Sequence, residues 1–527
     1  MKVRITYVVT EPESFNPDQI NVQRGSKGKR DTFKLNHVKA AKEHRITLGL
    51  NELSKHEAPF DIEVLKKWHE LHIRWSPDTP TSTAPAPFTS RVSPGLHIFY
   101  TPSTEVENPD LCQDVRLVFR SVDRHFKCTT SNETAIKMPM LSERFTMSTA
   151  LQYYSPFSGD DWMASSISRW IEGMTASADT PSYVDIDYDS ISQAVVCTVV
   201  WSNKPSDGWT DKYSAPEEGS DSTVEIGVLS HEANTDPEDY QFGGFLTVLG
   251  RDDKPKPTRF QTPTRHYPLL NPEPFDPNRP PKLSPLRYKT SINRPSGLHP
   301  TLTLTLPTSH LTAPDATCRL HAHLTLPSAL FIDRYQFSDP LFLSSQNLLA
   351  LRSLSGATDL EAPDWVIPQW GSAALFELAL PPSTSTSSSV AEKNSAVHAD
   401  HNISIPLHLR YLPASPSTHA SVDVPWPVVF WACRADEGSK HAQNPFDRRH
   451  LGYEALFGPK TRFMHVQPDS QAGRLVETIE VPVLDTRRVG VVEAGTVGIV
   501  VVAFLGLCWV LFGRLGGRKV EVGKKEQ

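Results

Sequence analysis

The sequence predicts a mainly β protein: an N-terminal α+β region, a C-terminal antiparallel β-sandwich-like domain and then a single C-terminal transmembrane helix. Three observations predict this fold class. Segments of the second half alternate strictly between apolar and polar residues, as in "TLTLTLP" at 301–307, which is the period of a strand with one buried face. Proline, which interrupts helices, is abundant, with 45 residues among 527. An uncharged apolar run extends from Ala494 to Phe512.

The N-terminal region, residues 1–202, is expected to mix strands and helices. It opens with the alternating segment 1–9, a predicted strand. "APFDIEVLKKWHELHIRW" at 58–75 predicts one amphipathic helix, because its apolar residues recur at steps of three and four. The remaining predictions are strands or partly buried segments at 95–100, 114–119, 144–154 and 193–201, and a second helix at 160–174.

The chain then changes character twice. Residues 203–250 are expected to contain a long polar loop (203–224) and further strands. Residues 251–300 contain twelve prolines, which predicts an extended, semi-rigid linker. Residues 301–488 are predicted to form the β domain, with a disordered Ser-rich insertion at 383–400. Its expected strands lie at 301–307, 318–327, 373–380, 403–412, 424–433 and 474–484.

The apolar run predicts a membrane span at 489–512, followed by a basic tail at 513–527. Nineteen uncharged residues from Ala494 to Phe512 cover roughly 30 Å as a helix, which is the thickness of the hydrocarbon core. A buried core helix is the alternative, but core helices are usually shorter and rarely continue into a basic tail. The first thirty residues offer only "ITYVV" as an apolar run, too short for a signal peptide.

The charges around the span favour a cytosolic tail and a lumenal ectodomain. The fifteen residues after Phe512 contain five Lys or Arg, against three in the fifteen before Val489. Lys524 and Lys525 stand third and fourth from the end of the chain, as in a dilysine retrieval signal of the endoplasmic reticulum. An ordinary solvated tail would look similar, and the missing signal peptide argues for the opposite, tail-anchored topology.

Cysteines and glycosylation motifs agree with a lumenal location without requiring it. Six cysteines are widely spaced and predict no disulfide framework. Cys112 and Cys128 are the only close pair that could form a bridge, and two free buried thiols are the equal alternative. Asn132 and Asn402 each begin an N-x-S/T motif and are the predicted N-glycosylation sites.

Composition and motifs favour a binding or scaffolding protein without cofactor. A net charge of −7 gives no indication of nucleic-acid binding. Asp185 and Asp187 match the D-x-D pattern with which many sugar transferases hold a divalent metal, but a solvated acidic strand face is the favoured interpretation. "HELH" at 69–72 lacks the zincin spacing and predicts two surface histidines on the amphipathic helix. Neither a catalytic residue nor a metal ligand is predicted.

A zinc site is a minor alternative in the β domain. Its ligands would be Cys318, His321 and His323. The two histidines alternate with Leu and Ala in a predicted strand, and no fourth ligand stands at metal spacing. We therefore expect these residues to belong to the sheet.

Several long blocks identify a family. The second half contains, in order, "LHAHLTLPSALFIDRYQFSD" (320–339), "GATDLEAPDWVIPQWGSAALFEL" (356–378), "IPLHLRYLP" (405–413), "VPWPVVFWAC" (424–433) and "LGYEALFG" (451–458). They resemble the PIG-X/Pbn family, and "HELHIRW" (69–75) and "SRVSPGLHIFYTP" (90–102) resemble its fungal members.

The resemblance implies an accessory subunit of glycosylphosphatidylinositol (GPI) mannosyltransferase I, the complex that adds the first mannose during anchor synthesis in the endoplasmic reticulum. The implied partner is its multi-spanning catalytic subunit of the PIG-M type. The implied topology is a lumenal ectodomain, one span and a cytosolic tail. Alternatives are a chaperone-like factor for secretory proteins such as protease B, and a lumenal glycosyltransferase that uses the Asp185/Asp187 pair. Trp365 and Trp370 are the candidate partner interface, because tryptophan is enriched at interface hot spots; a core position is the alternative.

Overall fold

The structure is a computed structural model. It describes residues 1–26, 29–54, 61–80, 88–89, 91–103, 110–118, 131–138, 151–156, 181–202, 207–232, 239–263, 265–272, 283–293, 297–308, 311–381, 400–436, 451–469, 471 and 473–513.

The first half is built mainly from strands. Its described strands are β1 Lys2–Val9, β2 Ile20–Gln23, β3 Thr32–Val38, β4 Ala40–Gly49, β5 Trp68–Ser76, β6 Gly95–Pro102, β7 Ile136–Lys137, β8 Leu151–Ser155, β9 Tyr183–Asp189, β10 Ala194–Trp201, β11 Trp209–Ser214, β12 Thr223–Glu232, β13 Asp239–Val248 and β14 Lys256–Pro263. Its short helices are α1 Ile62–Leu65, α2 Leu111–Val118 and α3 Ser131–Thr134.

The second half continues with strands and ends in a long helix. Its strands are β15 His266–Pro268, β16 Leu270–Pro272, β17 Leu283–Pro285, β18 Arg287–Asn293, β19 Thr301–Pro307, β20 Arg319–Pro327, β21 Leu330–Phe331, β22 Leu348–Gly356, β23 Gly371–Leu378, β24 Asp400–Pro406, β25 His408–Leu409, β26 His419–Pro425, β27 Val428–Arg434, β28 Thr461–His465, β29 Gln467–Pro468 and β30 Val476–Pro482. Its helices are α4 Pro340–Ser345 and α5 Val489–Phe512.

One large sheet organises the first half. Its strand order is β14-β13-β12-β1-β4-β10-β9-β5-β6-β8-β7. One face is apolar, because alternate residues along neighbouring strands, such as Ile46, Cys197, Ile186 and Ile73, lie in register and are buried in one core. The opposite face carries the intervening residues, which include several charged side chains.

A buried lysine joins a small sheet to the apolar face. The small sheet has the order β11-β3-β2. Lys42 of β4 is fully buried and lies 2.8 Å from a carboxylate oxygen of Asp211 on β11. Its ammonium group also lies 4.5 Å from the ring centroid of Trp209. Burial raises the pKa of Asp211, but the ammonium of Lys42 and the hydroxyls of Tyr7 and Tyr213 together outweigh burial and lower that pKa overall. An ion pair inside an aromatic cluster thus fixes the two layers.

The second half is a two-layer arrangement around its own apolar core, as the alternating segments predict. A six-stranded sheet, β15-β28-β27-β20-β23-β22, faces a four-stranded sheet, β24-β19-β18-β29. The leucines of "TLTLTLP" are 1% exposed or less, and they pack in one cluster with the apolar residues of β20, β23 and β27. All six strand segments predicted between 301 and 488 contain strands.

The amphipathic helix predicted over 58–75 is wrong. Helix α1 ends at Leu65, and Trp68–Ser76 is strand β5. Residues 71–75 fit the period of a helix, but they also fit the period of a strand, since Leu71, Ile73 and Trp75 alternate with polar residues. β5 pairs with β6 on one side and with β9 on the other. Pairing on both sides therefore decides between two locally plausible structures.

Three further predictions differ from the structure. Residues 114–119, a predicted strand, fall largely in helix α2, where the Asp110 carboxylate accepts a hydrogen bond from the backbone N–H of Cys112 at 3.0 Å. The polar loop predicted at 203–224 contains strand β11. The linker predicted at 251–300 contains β14 to β18, whose prolines lie mostly at strand ends. Residues 157–180, including the predicted second helix, and 382–399, including most of the predicted insertion, lie outside the described residues.

The apolar C-terminal run forms the predicted helix. Thr486–Phe512 is long and apolar enough to cross a membrane, and none of its apolar window is buried. It is a candidate single span. The basic tail from residue 514 onward, with Lys524 and Lys525, lies outside the described residues.

Candidate functional site

The acidic strand β9 is only partly solvated, because Asp187 and Asp189 are partly exposed and Asp185 is buried. Asp185 is 1% exposed, and its side chain lies in the middle of the large sheet, on the polar face. In the register of the sheet it stands opposite Arg74 of β5, and the Arg74 Nε atom lies 3.1 Å from the carboxylate oxygen Oδ1 of Asp185. Arg74 is itself 1% exposed, with its guanidinium carbon 4.2 Å from the ring centroid of Tyr183. Asp185 is therefore a partner in a buried ion pair.

His72 extends this ion pair to Asp187. Its Nδ1 is hydrogen-bonded to Oδ1 of Asp187, whose side chain is half exposed, and its Nε2 lies 3.9 Å from Oδ1 of Asp185. Burial lowers the pKa of His72, but the carboxylates of Asp187 and Asp185 outweigh burial and raise it above the ordinary value. The expectation of two surface histidines is wrong for His72, which is 3% exposed.

This geometry argues against a D-x-D metal site. His72 Nδ1 is hydrogen-bonded to Asp187, Arg74 Nε lies 3.1 Å from Asp185, and Asp185 is 1% exposed. A metal with substrate needs open coordination positions. The pair therefore supplies structural charge neutralisation within the sheet.

The polar face continues into the contact between the two halves. His97 of β6 stands beside Arg74 and opposite Tyr154 of β8 in the sheet register, with 4.8 Å between the His97 and Tyr154 ring centroids. Burial lowers the pKa of His97 to about 3, and the neighbouring His323 of the second half lowers it further. Burial likewise lowers the pKa of His323 to about 4.

The block "LGYEALFG" lies between the two halves. Tyr453 is fully buried, 5.6 Å from the ring centroid of His323, and its hydroxyl donates to the backbone carbonyl of Arg91 at 3.1 Å. A side chain at Gly452 would place its Cβ 3.1 Å from His323 Cε1, and Gly452 has a φ of +93°. Burial raises the pKa of Tyr453 well above its ordinary value, with the guanidinium groups of Arg74 and Arg91 opposing it in part.

We call this contact the polar joint. It comprises His72, Arg74, His97 and Asp185 of the first half and His323, Gly452 and Tyr453 of the second. Further contacts flank it. Thr89 donates through Oγ1 to the carbonyl of His266 at 2.6 Å, and Arg91 donates through Nη1 to Gln467 Oε1 at 2.5 Å.

Trp370 is partly buried and contributes to the same contact; its role in a partner interface stays a prediction. Its indole Nε1–H donates to the carbonyl of Gln152 at 2.9 Å, and its backbone N–H donates to the carbonyl of Thr134 at 3.0 Å. Its ring meets Tyr154 edge-on at 5.2 Å. Trp365, five residues earlier, is 61% exposed. The structure thus separates the two tryptophans that the sequence groups together.

The cysteines form a bridge that the sequence analysis missed. Cys318 and Cys433 are disulfide-bonded across 115 residues, next to the paired residues Arg319 and Ala432 of β20 and β27. Cys318 is therefore unavailable to zinc as a thiolate, although Asp315 lies close to both sulfurs. Cys112 is also disulfide-bonded, and Cys128 lies outside the described residues.

The predicted glycosylation sites differ in what the structure describes. Asn402 is exposed on β24, an edge strand, and accepts a hydrogen bond from Thr305 Oγ1 at 2.9 Å. The backbone of Asn132 lies in α3, two residues before the buried Thr134. Occupancy of either site stays a prediction.

Sequence reasoning missed most of the joint. No local pattern assigns a role to Arg74, His97, Gly452 or Tyr453. The sequence suggests for His323 only a strand position or a minor zinc site. A signal was present: the blocks "HELHIRW", "SRVSPGLHIFYTP", "LHAHLTLP" and "LGYEALFG" all contribute to this contact. These blocks place His, Arg or Tyr within apolar strands and loops, a combination that needs buried partners.

Comparisons with known proteins cover both halves. A sequence profile described as PIG-X / PBN1 matches residues 295–512. "Protein pbn1" of Emericella nidulans is 41% identical, over 97% of this chain and 95% of its own length. The proteins of the same name from Aspergillus oryzae and Neurospora crassa are 40% and 35% identical, over 100% and 98% of this chain and 98% and 96% of their own lengths. The chain therefore belongs to the PIG-X/PBN1 family.

Proposed function

We propose that this protein is a non-catalytic, stabilising subunit of GPI mannosyltransferase I in the membrane of the endoplasmic reticulum. Its partner is the multi-spanning catalytic subunit of the PIG-M type, which transfers mannose from a dolichol-linked donor. One observation carries the proposal: the blocks that mark the family join the two halves across a buried polar joint, where the fully buried Tyr453 of the second half donates a hydrogen bond to the backbone carbonyl of Arg91 of the first. Such an arrangement suits a rigid scaffold beside a membrane partner.

The proposed topology has a lumenal ectodomain, one span and a cytosolic tail. The disulfide between Cys318 and Cys433 lies in the segment that precedes α5. Disulfides persist in the lumen of the endoplasmic reticulum and are rare in the cytosol. This supports the lumenal side for everything before the helix, in agreement with the charge bias around the span.

Partner identity is tested by co-purification and by partner abundance. Tagged full-length protein, solubilised in mild detergent, is expected to co-purify with the catalytic subunit. Depletion of this protein is expected to lower both the steady-state level of that subunit and mannosyltransferase activity in microsomes. An unchanged catalytic subunit on depletion, with a broad loss of unrelated secretory proteins, would instead support the chaperone-like alternative.

The transferase alternative has its own test. Asp187→Asn changes the half-exposed member of the D-x-D pair, whose side chain is hydrogen-bonded to His72. We expect microsomal mannosyltransferase activity to persist in this variant. A loss of several orders of magnitude, with the protein level maintained, would be the outcome of removing a metal ligand and would refute the accessory role.

Topology is tested with the glycosylation sites and the tail. Endoglycosidase H is expected to shift the wild-type protein on a gel. Asn402→Gln is expected to remove this shift, and Asn132→Gln is the comparison variant. Protease added to sealed microsomes should remove only the tail; digestion of the ectodomain would reverse the orientation. Replacing Lys524 and Lys525 by Ser is expected to let some protein reach the Golgi with activity kept.

A further inference from the structure

The exposed apolar side chains of the ectodomain are unevenly distributed. Among the large apolar residues exposed in the described part of 1–488, only Ile191 belongs to the first half. The others lie between residues 335 and 484, in the half that continues into α5. Monomeric proteins rarely leave clustered apolar surface uncovered without an interaction that uses it.

A subset of these residues lies on segments that hydrogen bonds connect to one another and to the start of α5. We call it the membrane-proximal patch: Leu360 (37% exposed), Trp365 (61%), Val366 (60%), Tyr411 (66%) and Leu484 (49%). The backbone N–H of Asp364, next to Trp365, donates to the carbonyl of Tyr411 at 3.0 Å. The two exposed aromatic residues therefore stand on neighbouring backbone segments.

The segment after Tyr411 is tied directly to the entry of the helix. Ser415 donates its backbone N–H to the carbonyl of Leu484 at 3.1 Å and accepts at its own carbonyl from Thr486 at 2.8 Å. Ser415 is four positions after Tyr411, so the two lie at most about 14 Å apart. Thr486 precedes Ala494, the start of the uncharged run, by eight residues, or about 12 Å of helix. The patch thus lies within reach of the headgroup layer.

The exposed tryptophan stands on a fixed backbone. Arg410 is 2% exposed, and its guanidinium donates to the carbonyls of Ala362 and Ala357 at 2.7 and 3.3 Å. Asp364 accepts from Ser328 Oγ at 2.6 Å. These hydrogen bonds fix the backbone of the loop that contains Trp365 and Val366. The fold therefore keeps both side chains exposed.

We propose that the membrane-proximal patch rests in the lipid headgroup layer on the side from which α5 enters the bilayer, with Trp365 and Tyr411 as interfacial anchors. Tryptophan and tyrosine are enriched at this depth, because one part of each ring system is apolar and another forms hydrogen bonds. Arg487 and Arg488 both lie beside Asp485, but their side chains are 69% and 77% exposed at the helix entry, a position suited to lipid phosphates. The inference requires only that α5 spans the membrane and holds for either orientation.

The experiment measures the depth of the patch in the full-length protein. Val366→Cys is combined with Cys508→Ser, so that the partly exposed Cys508 is not labelled, and the new thiol carries a nitroxide label. Cys197 is buried and is left unchanged. The protein is reconstituted alone in phosphatidylcholine nanodiscs. We expect the label to be relaxed by oxygen and protected from a water-soluble nickel chelate. Ile191→Cys, from an 81% exposed residue of the first half, is the control and should be fully accessible to nickel.

Two outcomes would overturn the proposal. Equal nickel accessibility at positions 366 and 191 would show that the patch faces water. Protection that occurs only when the partner subunit is present would assign the patch to a protein contact. A measurement without a label gives an independent check: acyl-chain-brominated lipid should quench less fluorescence in Trp365→Phe than in the wild type, and an identical quenched fraction in both would also overturn the proposal.

Discussion

Replacing Asp185 by Asn tests whether the polar joint stabilises the ectodomain. The substitution keeps the shape of the side chain and removes its charge, leaving the Arg74 guanidinium buried without a carboxylate. Removing one partner of a buried pair destabilises by roughly 3–5 kcal/mol. Because the amide oxygen of Asn would still present a partial negative charge to Nε, which lies 3.1 Å from the carboxylate oxygen, we expect the lower end, about 3 kcal/mol.

The expected change is large enough to measure by thermal unfolding. At about 2–4 °C per kcal/mol for a region of this size, Asp185→Asn should lower the melting temperature by roughly 6–12 °C. Full-length protein in detergent is compared at one scan rate, since unfolding of large proteins is often irreversible. Had the strand face been solvated, as the sequence suggests, the change would be within about 0.5 kcal/mol.

Two controls make this test specific. Asp187→Asn, on the same face but with a half-exposed side chain, should have a distinctly smaller effect. The double variant Arg74→Met with Asp185→Leu removes both charges and should recover part of the lost stability, as apolar replacements of buried pairs often do. A melting temperature of Asp185→Asn within about 2 °C of the wild-type value would refute the reasoning.

Three further predictions concern stability. Trp370→Ala should cost roughly 2–4 kcal/mol, because it removes a half-buried ring and its hydrogen bond to Gln152, whereas Trp365→Ala should change the melting temperature little; equal shifts would contradict this. Replacing Cys318 and Cys433 together by Ala should cost about 2–5 kcal/mol, seen as a melting temperature below that of the wild type in non-reducing buffer. Acidification from pH 7 to 5 should lower the melting temperature, because histidines with depressed pKa values stay neutral when folded but bind protons when unfolded, so their stabilisation is lost as the pH falls below about 6.5. Glu454, whose pKa burial raises to about 6, and His72 oppose this trend; a flat or rising melting temperature would contradict it. Burial lowers the pKa to about 3 for His44, His97 and His465, and to about 4 for His321 and His323.

The sequence by itself determined the features that depend on local signals. The candidate span at 489–512 follows from the nineteen uncharged residues at 494–512, and its apolar character needs no partner within the protein. The strands of the second half follow from alternation such as "TLTLTLP", because apolar residues lie on the buried face of the sheet and polar residues on the other face. The family follows from long blocks that the comparisons confirm over the whole chain.

Tertiary structure decided what depends on partners distant in the sequence. Residues 68–76 form a strand because β6 and β9 pair with them, although their apolar spacing also fits a helix. Cys318 meets Cys433 across 115 residues only because β20 and β27 are neighbours.

The same reason applies to the polar joint. An aspartate in a strand is ordinarily solvated, and nothing local to "VDIDYD" shows that Arg74 and His72 of another strand will enclose Asp185. Whether a charge is buried depends on which sheets pack together, and that packing is fixed by contacts between residues far apart in the chain. Local sequence therefore gives the period of each strand, while the fold decides which of its polar residues are removed from water.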